Sequence, residues 1–321
     1  MPHFSMLLRR GFAVAAGLVF LPLLSGCFLF IWPNESTALI PENRPGNSAH
    51  YRLTSGDGYC CMRIYLPEKR SKEACPAAVI FPGGAYGVLA WEKEGKAYAE
   101  FMNRHGMAGI VVKYPLGSLL GHFSRHPAML NAAQRAIRLT RYHAGKLGID
   151  PNRIGVMGSS AGGHLAGLCA VWESAGDPKS DDPVERVSAR PDFAILCYPV
   201  VSMEAVCTHQ LSRKNLVGTS PDPELLRKLS LEKRITAACP PMFVWQTLED
   251  QIVDPANSRL LETSLKKHGV CSRVIFYEKG PHGMGLLSEE ERKKYPKTAE
   301  WSMELLSFLH DAKIYCGDQS R

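Results

Sequence analysis

Gly158-Ser159-Ser160-Ala161-Gly162 has the form Gly-x-Ser-x-Gly, and it falls where an apolar run at 153–157 gives way to a helical pattern. A serine nucleophile at the top of a strained strand-to-helix turn needs neighbours without bulk two positions away on either side, because those backbones approach closely. The helix N-terminus behind it offers unpaired N–H groups and a dipole that favours developing negative charge. The five-residue match alone is weak; its position between a strand and a helix makes it informative. Ser160 is therefore read as the nucleophile of an acyl transfer.

Three further stretches fit that chemistry. Phe81-Pro82-Gly83-Gly84-Ala85-Tyr86-Gly87 follows an early apolar run, and one or two of its N–H groups, together with that of Ala161, could face a carbonyl oxygen. Asp250 follows the apolar run 242–247 and so lies on a loop at the carboxyl end of a strand, the edge where ligands collect in open α/β sheets. Glu249 and Asp254 are its rivals. His282 stands in Gly280-Pro281-His282-Gly283-Met284-Gly285, after the next strand and at the same edge. His164 is one helical turn beyond Ser160 and is expected to pack rather than to act as a base. The order Ser160, Asp250, His282 is that of an α/β-hydrolase triad.

These residues need elements to hold them. The pattern predicts a half-buried antiparallel or edge strand over 60–66, buried strands over 77–81, 109–113, 153–157, 193–198, 242–247 and 272–277, and helices over 94–104, 127–146, 255–268 and 297–312, with one more after Ser160. In the helix over 127–146 the expected buried positions are Leu130, Ala133, Ile137 and Tyr142, with Gly148 as its stop. Strands alternating with helices predict a mostly parallel sheet covered on both faces, a three-layer α/β sandwich. Two Pro- and charge-rich stretches, 173–191 and 203–241, break the rhythm and read equally as cap-like insertions or as solvated loops.

Composition sets the frame. The chain has 321 residues, 45% hydrophobic and 21% charged, with a net charge of +7. That is the balance of a globular protein long enough to bury a core without a disulfide framework. The basic residues are scattered rather than gathered into a stripe, so no nucleic-acid partner is expected. Cys-x-x-Cys, His-Glu-x-x-His, Gly-x-Gly-x-x-Gly and Gly-Lys-Ser/Thr are absent, so no metal or cofactor is expected. Cys169, Cys197 and Cys271 read as small core residues. At the N-terminus, Arg9 and Arg10 precede the apolar run 11–24 and then Ser25-Gly26-Cys27. This predicts an export signal over 1–26, an irregular tether over 27–58 and a catalytic domain over 59–321. Leu24-Ser25-Gly26-Cys27 resembles a bacterial lipobox, which implies a lipid anchor on Cys27 and a location at the periplasmic or outer face of a membrane.

The sequence as a whole resembles the α/β-hydrolase superfamily, and within it bacterial carbohydrate esterases of acetyl xylan esterase type. The resemblance is carried by Phe81-Pro82-Gly83-Gly84-Ala85-Tyr86, by Ala133-Gln134-Arg135-Ala136-Ile137-Arg138, by the stretch from Gly148-Ile149-Asp150-Pro151 through Gly162-Gly163-His164, and by Pro281-His282-Gly283. It implies Ser160, Asp250 and His282 as the triad and places Gly83, Gly84 and Ala161 near the oxyanion. The expected substrate is a small-molecule or glycan ester. Ser159 stands where relatives tend to carry a bulky residue, which predicts a wider pocket beside the nucleophile, and Asp254 replaces a usual proline. Three readings compete with this one. A prolyl oligopeptidase-type peptidase would need room for a gating propeller, a long-chain lipase would need a strongly apolar lid, and a non-catalytic ligand-binding lipoprotein would have no use for three triad residues in order.

Overall fold

Short apolar and β-branched runs form the strands, and where both faces are covered the runs are continuous. The computed structural model describes residues 40–41, 48–52, 60–67, 73–119, 123–172 and 174–315, so the predicted signal, Cys27 and most of the lead-in lie outside the described residues. The strands are β1 (Ile40–Pro41), β2 (Ser48–Arg52), β3 (Cys61–Tyr65), β4 (Cys75–Phe81), β5 (Ala108–Lys113), β6 (Ile149–Ser159), β7 (Ala194–Cys197), β8 (Met242–Thr247) and β9 (Ser272–Tyr277). They join in one sheet of order β1-β2-β3-β5-β4-β6-β7-β8-β9. From β5 to β9 all neighbours are parallel, whereas β1, β2 and β3 extend the sheet antiparallel beside β5. β3 alternates between buried and half-buried residues as expected for an antiparallel strand, but β2 covers its other side, so it is not an edge. Regular structure thus begins inside the stretch expected to be an irregular lead-in.

The helices are α1 (Ala97–Arg104), α2 (Ala128–Tyr142), α3 (Ala144–Leu147), α4 (Ser160–Val171), α5 (Gln210–Val217), α6 (Pro223–Lys228), α7 (Ala256–Lys267), α8 (Glu289–Lys294), α9 (Pro296–Ala299) and α10 (Trp301–Asp311). A single wider turn, Trp91–Lys96, leads into α1. Successive strand residues face opposite sides of the sheet, so β4 sends Ala77, Val79 and Phe81 to one core and Ala78 and Ile80 to the other. The first core is closed by α2, α4 and α7, through residues such as Leu130, Ile137, Leu165 and Leu265. The second is closed by α1 and α10, through Tyr98, Met102, Trp301 and Leu305. This is the three-layer sandwich predicted from the alternation.

Several details differ from expectation. The helix over 127–146 ends at Tyr142, whose side chain is 45% exposed, and the chain resumes as the short α3 before Gly148 stops it with a φ of +69°. The closing helix is likewise split into α9 and α10. Cys271 is exposed rather than in the core, because it lies just before β9 begins. The insertion 203–241 is a packed element. It carries α5, α6 and the 3-10 turn Leu231–Lys233, and Leu216, Leu229 and Leu231 are buried in the first core. The described part of 173–191 has no helix or strand, and Arg135 of α2 ties it down through Asp182 and Glu185 at 2.7 and 2.6 Å.

Candidate active site

Ser160 is the first residue of α4 and has a φ of +53°, preceded by extended Ser159 at the end of β6. A β-carbon at Gly158 would stand 2.1 Å from the Gly162 carbonyl oxygen, and one at Gly162 would stand 2.0 Å from that of Phe81. Both obstacles are backbone atoms, so neither position admits a side chain, and this is the physical content of the Gly-x-Ser-x-Gly spacing.

His282 lies on the loop after β9, where Gly280, Gly283 and Gly285 have φ values of +129°, +75° and +60°. Its Nε2 is 2.9 Å from Ser160 Oγ and its Nδ1 is 2.6 Å from Asp250 Oδ2. Asp250, on the loop after β8, is 5% exposed. Its Oδ1 accepts the N–H groups of Ile252 and Val253, each at 2.9 Å, and its Oδ2 accepts from Gln246 Nε2 at 2.9 Å. A carboxylate so surrounded by donors accepts from Nδ1–H, which leaves Nε2 of the neutral imidazole as the acceptor facing the serine hydroxyl. The structure thus brings Ser160, His282 and Asp250 together.

The rivals are engaged elsewhere. Glu249 accepts from Lys279 Nζ at 2.8 Å and from the N–H of Gly280 at 2.9 Å, and these bonds hold its carboxyl below the usual range. It steadies the start of the histidine loop from outside. Asp254 accepts the N–H of Ala256 at 2.8 Å, near the start of α7. His164 is buried, with Nε2 2.7 Å from the Leu229 carbonyl and Nδ1 2.7 Å from Tyr86 Oη. The carbonyl can only accept, so Nε2 carries the hydrogen and Nδ1 takes that of the tyrosine. The ring pins the Gly-rich loop to α4.

That loop departs from expectation at Gly83. Its N–H donates to Glu94 Oε2 at 2.8 Å, so it is not available to an oxyanion. Among the described residues no acceptor takes the N–H of Gly84 or of Ala161. Three of the loop's carbonyls accept from side chains, Pro82 from Tyr114 Oη at 2.6 Å, Ala85 from Asn215 Nδ2 at 2.9 Å and Gly87 from Ser118 Oγ at 2.6 Å, while those of Gly83, Gly84 and Tyr86 accept backbone N–H groups. These bonds hold Ala85 and Tyr86 at φ values of +53° and +57°. Ser159 is fully buried, and its Oγ meets Tyr98 Oη at 3.0 Å. It faces the second core rather than the site, since neighbouring residues point to opposite sides, and it does not widen the pocket.

Glu94, Tyr198, Asn215 and Gln246 also touch this arrangement and lie outside the motifs that the sequence displays. Gln246 reaches Asp250 four residues along the chain, whereas Glu94, Tyr198 and Asn215 meet their partners across the fold, through contacts that no local motif announces. Among the described residues no group of three or more His, Cys, Asp or Glu side chains could hold a metal ion.

A sheet of this order, with a serine on a strained turn at its centre and an aspartate and a histidine at the ends of later strands, defines the α/β-hydrolase class. The chain belongs to the BD-FAE family, whose profile matches residues 62–265. It is 34% identical over 241 residues to endo-1,4-beta-xylanase B of Butyrivibrio fibrisolvens, a match covering 75% of this chain and 37% of that protein. It is 30% identical to an acetylxylan esterase of Xylanibacter ruminicola, over 72% of this chain and 45% of that protein. The chain thus spans less than half the length of these curated relatives. Among solved structures, an acetyl ester-xyloside bifunctional hydrolase from Caldicellulosiruptor lactoaceticus superposes with a TM-score of 0.74 at 40% identity, covering 80% of this chain and 89% of that one.

Proposed function

We propose that this protein is a serine esterase that removes short acyl groups, acetyl above all, from carbohydrates. The observation that carries the reading is the continuous path from Ser160 Oγ through His282 to buried Asp250, at 2.9 and 2.6 Å. Ser160 Oγ adds to the ester carbonyl carbon while its proton passes to His282 Nε2. The negative charge on the carbonyl oxygen develops opposite the N–H groups of Gly84 and Ala161, at the N-terminus of α4. Collapse breaks the bond to the sugar oxygen, which takes the proton from Nε2. Water then adds to the acyl-serine by the same steps in reverse, releasing the acid and restoring Ser160. Asp250 accepts from Nδ1–H throughout and holds the imidazole in the required tautomer.

The carbohydrate part of the reading is supported by what the relatives are called: a xylanase, an acetylxylan esterase and an acetyl ester-xyloside hydrolase. Purified protein is expected to release acetate from acetylated xylo-oligosaccharides and to hydrolyse 4-nitrophenyl acetate far faster than the decanoate. Equal rates on both nitrophenyl esters, with no acetate from the oligosaccharide, would contradict it. We also propose that residues 1–26 direct export and that Cys27 carries a lipid, a reading supported by Leu24-Ser25-Gly26-Cys27 after a basic and apolar lead. Cys27→Ala should shift the protein from the membrane to the soluble fraction; unchanged partitioning would count against the anchor.

A further inference from the structure

Glu94 is a carboxylate that the triad does not use, yet it lies between two loops that the triad depends on. It is 4% exposed and sits in the turn before α1. Its Oε2 accepts the N–H of Gly83 at 2.8 Å, one residue before the free N–H of Gly84. Its Oε1 accepts from Tyr198 Oη at 2.8 Å. The same phenol accepts the N–H of Gly285, on the histidine loop, at 3.1 Å, and the Tyr198 ring packs edge-on against the imidazole of His282 with centroids 5.0 Å apart. A β-carbon at Gly83 would stand 2.6 Å from Glu94 Oε2, 2.8 Å from the Ser159 carbonyl oxygen and 3.1 Å from Ser160 Cβ, so Gly83 lies between the carboxylate and the nucleophile's turn with no room for a side chain.

Two donors and no acceptor are aimed at Glu94, an arrangement suited to the ionised form. Burial pushes its carboxyl above the usual range, and the bonds from Tyr198 and Gly83 draw it only part of the way back. Among the described residues no Lys or Arg pairs with it. An uncompensated buried charge of this kind is costly to a fold. The cation formed nearby during turnover is the His282 imidazolium, which favours ionised Glu94 ahead of the Lys93 ammonium.

We infer that Glu94 is a positioning residue for the reaction. Through Gly83 it orients the oxyanion N–H of Gly84, through Tyr198 it holds the histidine loop, and it provides a second negative charge near the imidazolium. The inference rests on the esterase reading above.

The test compares wild type, Glu94→Gln, Tyr198→Phe and the double variant on 4-nitrophenyl acetate. Turnover is counted per active site by the 4-nitrophenol released when a nitrophenyl organophosphate is allowed to phosphorylate the serine to completion. Glu94→Gln should lose about 10²-fold in kcat with KM changed less than about threefold, as expected when transition-state stabilisation rather than binding is removed. Tyr198→Phe should lose about tenfold, and the double variant should lose less than the product of the two, since both changes break one link. If Glu94→Gln does not fold, a Tyr198→Phe loss confined to kcat supports the role. Turnover per titrated site within twofold of wild type in every folded variant overturns it. A wild-type protein without esterase activity overturns the proposed function, and this role with it.

Discussion

Asp250 is held by four donors, and their arrangement determines what a substitution there would do. Two backbone N–H groups require an acceptor at Oδ1, so an asparagine would keep its oxygen there and turn its NH2 towards Gln246 and His282. A donor opposite Nδ1 forces the hydrogen onto Nε2, which can then no longer accept from Ser160. Asp250→Asn should therefore lower kcat by about 10⁴-fold with the fold intact; steady-state rates and circular dichroism check this, and a loss under tenfold contradicts the assigned tautomer. His164 carries a second prediction. Burial pushes its pKa down from 6.5 to about 4, offset in part by its bond to the Leu229 carbonyl. The unfolded chain takes up a proton as pH falls through 6.5, whereas the folded one resists until about 4. The stability it contributes is thus full above pH 6.5 and is lost on acidification. Between pH 7 and 4.5, urea unfolding of wild type should lose about 2.5 kcal/mol more than that of His164→Gln. Equal losses would contradict the buried neutral ring.

At the scale of elements, helix α5 of the 203–241 insertion reaches the site by way of Asn215, which bonds the Ala85 carbonyl and so helps to hold a loop with two consecutive non-glycine residues at positive φ. Asn215→Ala should relax that loop and lower kcat by about tenfold, by loosening the donors that face the oxyanion. An unchanged kcat would show that Tyr114, Ser118 and Glu94 suffice. The sequence left this insertion open between cap and solvated loop, because Pro- and charge-rich composition does not reveal which few apolar residues find the core. The strands were far more legible. β8 and β9 match their predicted bounds, since short apolar runs between turn residues leave little choice of ends. Helix ends were less so, and Tyr142 shows why: it is apolar but stands five residues beyond Ile137, off the buried face of α2 and in its last turn, where it is exposed.

Over the whole molecule, what could be read in advance is what local sequence must satisfy. Ser160 announces itself because Gly158 and Gly162 are demanded by atoms nearby, and Asp250 and His282 because they follow strands that end at the same edge. Glu94 and Tyr198 could not be read this way. They meet across 104 positions of chain, and nothing around either one requires the other. Gly83 was expected to donate to an oxyanion for the same reason, its true partner being visible only once the turn before α1 is folded against it. The predicted export signal and the lipid anchor proposed on Cys27 lie outside the described residues. The central claim, that Ser160 performs ester hydrolysis, is tested most directly by comparing 4-nitrophenyl acetate hydrolysis by wild type and Ser160→Ala at matched circular dichroism. The account predicts ready turnover by the wild type and a loss of at least about 10⁴-fold in the variant; a folded Ser160→Ala protein that keeps wild-type turnover would contradict it.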